Sequence, residues 1–247
     1  MANFVLVHGA WHGAWVWSRV LPLLHSGSHT AHAVTLTGVG ERAHLLSPEI
    51  TLQTHISDVV NLIETEELQD VVLVGHSYAG MVVTGVADRL LEAQSNRLCH
   101  LVYLDASIPK PGEAWGDKHA QATRSARIAA AALHPLNALN PPDASVFGLH
   151  GADAQWVNRR QTPHPFAPYT EPLQFDMARL GAVPRTFIDC IQPPLATINT
   201  SRERARSSAT WDGHWLPRAS LVVMNTGHDA MVSSPRELAD ILLRCAL

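Results

Sequence analysis

The sequence predicts an α/β protein, a mostly parallel sheet of about six strands flanked by helices and interrupted by one inserted cap. Short continuous apolar runs alternate with stretches of helical period along the chain. That is the pattern of strands buried on both faces and joined by crossover helices. The run Val71-Val72-Leu73-Val74 stops at Gly75-His76-Ser77-Tyr78-Ala79-Gly80, where a helical pattern begins at once. A turn this sharp lifts a serine hydroxyl out of the carboxyl edge of a sheet. From Ser107 to Pro184 the alternation loosens: proline recurs and Gly148 and Gly151 punctuate the stretch. The division this implies is a core of residues 1–106 and 186–247 with a cap of residues 107–185.

Composition sets the outer bounds. A chain of 247 residues that is 46% hydrophobic can bury a substantial core. Lys+Arg 18 against Asp+Glu 22 gives a net charge of −4 with no long like-charge block, so neither nucleic acid nor a membrane is an expected partner. Cys99, Cys190 and Cys245 fit no zinc or redox spacing. Reduced structural thiols in a cytoplasmic protein are expected. Met1-Ala2-Asn3 runs directly into a strand, and no cleavable or membrane-spanning apolar segment is present. The 15 histidines include no clustered helical metal spacing, so no metal site is expected.

Taken in order, Phe4-Val5-Leu6-Val7 reads as a buried strand that breaks into His8-Gly9-Ala10-Trp11-His12-Gly13. A glycine there lets backbone approach a reacting group closely, and the Ala10 amide can aim where the Tyr78 amide aims. Ala31 to Leu36 is a second strand, followed by Thr37-Gly38-Val39-Gly40-Glu41-Arg42. That turn lacks the lysine of a phosphate loop and the three-glycine dinucleotide fingerprint, and is expected to border the site instead. Leu52, Ile56, Val59, Val60 and Ile63 make one helical stripe. After the elbow a helix runs to about Gln94, with its N-terminus toward Ser77.

Leu98 to Leu104 is a further strand, ending at Asp105. Within the cap, Lys118 to Leu133 reads as helical, and Trp115, Phe147, Trp156, Phe166 and Phe175 are expected mostly to form a small core of its own. Thr186-Phe187-Ile188 and Ser220 to Met224 are the last strands. Ser234-Pro235-Arg236-Glu237 then combines an N-cap serine, an N1 proline and an N3 glutamate, with Leu238, Ile241, Leu242 and Cys245 on the buried face of a final helix.

A serine hydroxyl is a weak nucleophile until a base takes its proton. His228, in Asn225-Thr226-Gly227-His228-Asp229 after the last strand, projects from the same edge as the elbow and is the candidate base. His76 adjoins Ser77, but neighbouring side chains of a strand face opposite ways, so it is not expected to serve. Asp105 stands at the carboxyl end of the strand beside the nucleophile strand, where α/β sheets keep their sites. Asp189 and Asp212 are alternatives for the acid.

Phe4-Val5-Leu6-Val7-His8-Gly9-Ala10, Val74-Gly75-His76-Ser77, Leu101-Val102-Tyr103-Leu104-Asp105-Ala106 and Gly227-His228 stand in one order. In these stretches the chain resembles α/β-hydrolase fold esterases of the plant methylesterase and hydroxynitrile lyase group and their bacterial carboxylesterase relatives, over nearly its whole length. The resemblance implies Ser77 as nucleophile, His228 as base, and Ala10 and Tyr78 as backbone oxyanion donors. It departs from the plant pattern at the acid: the plant position falls at Pro193, whereas Asp105 matches other α/β-hydrolases that carry the acid one strand earlier.

The expected activity is hydrolysis of small carboxylic esters through an acyl-enzyme, without a cofactor. A hydroxynitrile lyase and a low-turnover ligand-binding receptor are the alternatives. The better-known plant lyases resemble one another in a threonine and a lysine where this chain has Gly9 and Asp229, which weighs against the lyase. Gly9, Trp11, Trp115 and Trp156 are candidate substrate contacts, and few cap cations point to an uncharged or weakly charged aromatic or aliphatic ester as the small-molecule partner. A homodimer is allowed but not required by the sequence.

Overall fold

The computed structural model describes residues 1–206 and 219–246. Six strands form one wholly parallel sheet: β1 (Asn3–Val7), β2 (Thr30–Val34), β3 (Val71–His76), β4 (Leu98–Leu104), β5 (Arg185–Cys190) and β6 (Ala219–Met224). Their spatial order is β6-β5-β4-β3-β1-β2. Every residue of β3 is buried, which is why it reads as an unbroken apolar run. The strand β6 is an edge, and Leu221 and Val223 are exposed on it.

Register decides what meets at the carboxyl edge. Val7 pairs with Gly75, Gly75 with Tyr103, and Tyr103 with Phe187. The residues one or two places beyond this row, among them His8, Ser77 and Asp105, therefore leave the sheet side by side. The strand order reverses at β1, so the loops after β1 and β3 flank the crevice in which open α/β sheets bind their ligands.

The helices α1 (Leu21–Ser26), α2 (Leu52–Thr65) and α3 (Ala79–Glu92) follow β1, β2 and β3. The expected stripe of α2 is buried, and a reciprocal capping box between Thr51 and Thr54 opens that helix. All but four residues of α3 are buried. Beyond β5 come α6 (Asn199–Arg206) and α7 (Pro235–Arg244), the fourth and fifth helices lying in the insertion. Leu238, Ile241 and Leu242 are the buried face of α7. Ser234 does precede it, but its hydroxyl makes no capping bond, so the expected N-cap hydrogen bond is not formed.

Between β4 and β5 the chain leaves the sheet and forms α4 (Gln121–Leu133), α5 (Gly151–Asn158) and two antiparallel pairs, Glu113–Ala114 with Pro172–Leu173 and Ala138–Leu139 with His164–Pro165. The helix expected from Lys118 starts at Gln121, because Lys118 ends a preceding 3₁₀ turn. In the glycine-rich turn after β2 the Thr37 amide and hydroxyl donate to Asp58 at 2.7 and 2.8 Å, and the Gly40 amide donates to Thr162 Oγ1 at 2.9 Å. No helix of the described residues is long and apolar enough to cross a membrane.

Candidate active site

Ser77 stands at φ +56°, left-handed backbone that a non-glycine residue holds only when its surroundings force it. What forces it is a set of crossed hydrogen bonds. The Ser77 amide donates to Leu104 O at 3.2 Å, and the Ser77 carbonyl accepts from the Gly80 and Ser107 amides at 3.1 and 2.9 Å. The turn is so tight that a Cβ on Gly80 would run into the Ser107 backbone. Ala79 departs from the strict glycine pattern without a clash, because the close approaches fall on Gly75 and Gly80.

Asp105 is also left-handed, at φ +39°, and its amide donates to Ile188 O at 2.7 Å. Its carboxylate is fully buried and divided between two partners. His228 donates Nδ1–H to Oδ2 at 2.7 Å, and Arg202 Nη2 donates to Oδ1 at 2.7 Å. Asp189, the alternative acid inside β5, faces the other side of Arg202, with Nε 2.7 Å from Oδ1, and also meets Arg206. It does not touch His228. Asp212, the remaining alternative, lies outside the described residues.

The loop after β1 is set by histidines. A Cβ on Gly9 would sit 2.8 Å from the Ser77 Cβ, so the Gly9–Ala10 peptide lies directly against the serine. His8 Nε2 accepts the Leu36 amide at 3.1 Å, which leaves Nδ1–H to donate to Gly9 O at 2.7 Å. Burial drives the His8 pKa down to about 3, so the ring stays neutral. In a trans peptide the N–H is opposed to the C=O, so fixing Gly9 O turns the Ala10 N–H away from His8. Among the described residues, hydrogen bonds take up neither the Ala10 nor the Tyr78 amide.

A second buried network lies behind His228. His12 presents Nδ1 to Ala10 O at 2.7 Å and Nε2 to Asp229 Oδ2 at 3.1 Å. Both neighbours are acceptors, so both ring nitrogens carry protons. Burial works against that charge, but the Asp229 carboxylate outweighs it and holds the His12 pKa above its ordinary value. Burial likewise opposes the charge on Asp229, yet His12 keeps its pKa below the usual carboxylate value. His76, pressed well below its ordinary value by burial and by His228, donates Nε2–H to the His228 carbonyl at 3.1 Å. The expectation that His76 faces away from the site is corrected: its ring centroid is 4.5 Å from that of His228, because Ser77 has already left the strand. His76, His228 and Asp229 could together offer metal ligands; each is engaged in these networks through one atom, His76 by Nε2, His228 by Nδ1 and Asp229 by Oδ2.

Above the edge lies a cleft of about 490 Å³, lined by Ser77 and Trp11 from the core, by Trp115, Arg127, Leu139 and Phe147 from the segment between β4 and β5, and by Leu195 and Ile198 beyond it. Trp11, at φ +67°, is held by its indole N–H on Leu139 O at 2.9 Å. The Phe147 ring is 5.7 Å from that of His228. Of the candidate substrate contacts, Trp11 and Trp115 line the cleft and Gly9 lies under it against Ser77. Trp156 does not: it packs edge-on against Trp15 at 5.1 Å, between Arg19 and Arg160. The turn at Thr37–Arg42 contributes no lining residue either, packing instead on Gly13 behind the cleft.

Arg202 and Arg127 have no counterpart in the sequence reading. Arg202 belongs to Asn199–Arg206, whose run of charges reads as a solvated helix face although Arg202 and Arg204 are buried. Nothing local distinguishes either arginine from a surface one.

A parallel sheet with its polar groups gathered beyond the strand ends, under an inserted segment that closes a cleft, is the arrangement of an α/β hydrolase. The chain belongs to the alpha/beta hydrolase family, whose profile matches residues 4–241. It is 39% identical over 251 residues to the carbendazim hydrolyzing esterase of Nocardioides sp. (strain SG-4G), covering 98% of each chain. A putative chloroplastic methylesterase 14 of Arabidopsis thaliana is 22% identical, over 99% of this chain and 72% of its own. Among solved structures, an extracellular alpha/beta-hydrolase from a Paenibacillus species matches with a TM-score of 0.82 at 20% identity, over 99% of both chains. The chain is an ester-cleaving enzyme of this family, and the lyase and receptor alternatives are not favoured.

Proposed function

We propose that the cleft hydrolyses small carboxylic esters, with Ser77 as nucleophile, His228 as general base, Asp105 as its orienting acid and the Ala10 and Tyr78 amides as oxyanion donors. Residues 107–185 act as the cap that shapes the substrate space. The observation that carries this reading is the 2.7 Å bond from His228 Nδ1–H to Asp105, at the edge where Ser77 lines the cleft from a strained elbow. That bond fixes the tautomer with Nε2 unprotonated, the state required to accept the serine proton.

Ser77 Oγ attacks the ester carbonyl as His228 takes its proton, and the carbonyl oxygen becomes an oxyanion facing the two unclaimed amides. His228 then returns the proton to the departing alcohol. Water, deprotonated by the same imidazole, attacks the acyl-enzyme; the acyl–Oγ bond breaks, Oγ recovers the proton, and the acid leaves. Asp105 stabilises the imidazolium formed at each step. No step calls on a cofactor. The three free cysteines, Cys99, Cys190 and Cys245, support a cytoplasmic setting.

The test is a panel of p-nitrophenyl and methyl aryl esters, with carbendazim added because it is in the name of the 39% identical relative, assayed with the wild type and Ser77→Ala. Turnover by the wild type alone supports the reading. Equal turnover by both proteins refutes it.

A further inference from the structure

Arg127 projects from α4 into the cleft that Ser77 lines, and among the described lining residues it is the one charged group. Its guanidinium carbon lies 5.6 Å from the ring centroid of Trp11, 5.2 Å from that of Trp115 and 5.4 Å from that of Tyr169. Three electron-rich faces hold a cation in place and keep it charged. They do not satisfy its in-plane N–H donors. Its polar neighbours are His119 Nδ1, at a long 3.4 Å from Nη1, and the Tyr169 hydroxyl. That histidine is neutral, its pKa driven to about 3 by burial and by Arg127 itself.

No carboxylate of the described residues pairs with Arg127, whereas Arg124, one turn earlier on the same helix, meets Asp117 at 2.9 Å. A half-buried guanidinium caged by three rings in an apolar cleft, with no carboxylate partner among the described residues, has the geometry to receive a bidentate oxyanion. We propose that Arg127 binds an anionic oxygen group of the substrate, so that the cleft's preferred substrates are esters carrying a second carboxylate away from the scissile ester. This rests on the ester-hydrolase reading of the same cleft and names its substrate class. It narrows the uncharged or weakly charged ester that the sequence suggested to one bearing an anionic group, because the cap's few cations include one aimed at the cleft.

The experiment compares monomethyl esters of succinate, glutarate, adipate and terephthalate with their dimethyl counterparts, in wild type, Arg127→Met and Arg127→Lys. The expected result is a higher kcat/KM for the acid-bearing member of at least one pair. Arg127→Met should lower that preference by about 10- to 100-fold, the range for losing a charge-assisted contact, mostly through KM. Arg127→Lys should keep part of it.

Binding is measured separately through tryptophan fluorescence in Ser77→Ala and in Ser77→Ala/Arg127→Met, since Trp11 and Trp115 wall the cleft. Weaker binding of the monoesters in the double variant supports the proposal even where turnover is slow. A wild type that prefers the dimethyl ester in every pair overturns it, as does an unchanged preference or an unchanged Kd in Arg127→Met. If neutral p-nitrophenyl esters are still hydrolysed in that case, the esterase reading stands and only the Arg127 assignment falls.

Discussion

Arg202 grips Asp105 from behind. Nη2 lies 2.7 Å from Oδ1 while Oδ2 receives the His228 Nδ1–H at 2.7 Å, so both carboxylate oxygens are committed and the group cannot turn. Asp105→Asn should therefore lower kcat by about 10⁴-fold, because an amide neither holds the required tautomer nor stabilises the imidazolium. Asp189→Asn, which leaves the His228 bond in place, should lower kcat by less than about tenfold on the same scale. Steady-state kinetics on a p-nitrophenyl ester decides between them. A larger loss for Asp189→Asn would move the acid.

Arg202 also bridges Asp105 to Asp189, and both carboxylates are fully buried. Arg202→Met leaves Asp105 without its cation, and the expected cost is about 3–5 kcal/mol of stability. Combining it with Asp189→Asn removes a buried charge that Arg206 alone would still pair, so the double variant should be more stable than the sum of the single losses. Urea denaturation of the four proteins measures this. Simple additivity would show that the bridge carries no coupling.

Gly80 is the test of the elbow. A Cβ there meets the Ser107 backbone, which cannot give way because the Ser107 amide is bonded to Ser77 O at 2.9 Å. Gly80→Ala should lose activity and Tm together, whereas Ala79→Gly, at the position where the strict motif has glycine, should change kcat by less than about threefold and cost roughly 1 kcal/mol of helix stability. Thermal melts with matched kinetics separate the two. A fully active Gly80→Ala protein would contradict the packing described.

Acid should unfold this protein through its buried neutral histidines. His8 and His55 have pKa values driven down to about 3 and about 4, mainly by burial. Between these values and 6.5 the unfolded chain binds protons that the folded rings refuse. Their contribution is thus complete above pH 6.5 and is lost as the pH falls, at about 1.4 kcal/mol per pH unit for each ring. His12 runs the other way, contributing below pH 6.5 and losing its contribution as the pH climbs through its raised value. Urea midpoints at pH 7, 6 and 5 should fall steadily, and His8→Gln should flatten the slope by about one ring's share. Flat midpoints across that range would refute the account.

What the sequence determined by itself was whatever is written in local pattern. Val71–Val74 is a buried parallel strand because its apolar run is continuous, Ser77 sits on an elbow because glycines flank it, and Leu52 to Ile63 lies on the sheet because its apolar residues recur with helical period. Asp105 could be ranked above its rivals because it ends the strand next to β3. Contacts between distant segments left no such trace. Arg202 meets Asp105 across 97 positions and His12 meets Asp229 across 217, and neither arginine nor histidine announces its partner.

Trp156 and Trp115 are the same residue type in the same loose stretch, yet one lines the cleft and the other packs on Trp15. Arg127 and Arg124 share a helix, yet among the described residues only Arg124 is paired with a carboxylate. Side-chain direction in an irregular segment is set by what packs against it, and a polar group is buried or solvated according to partners the chain brings from far away. The tertiary structure alone decided those, and with them the shape and charge of the cleft.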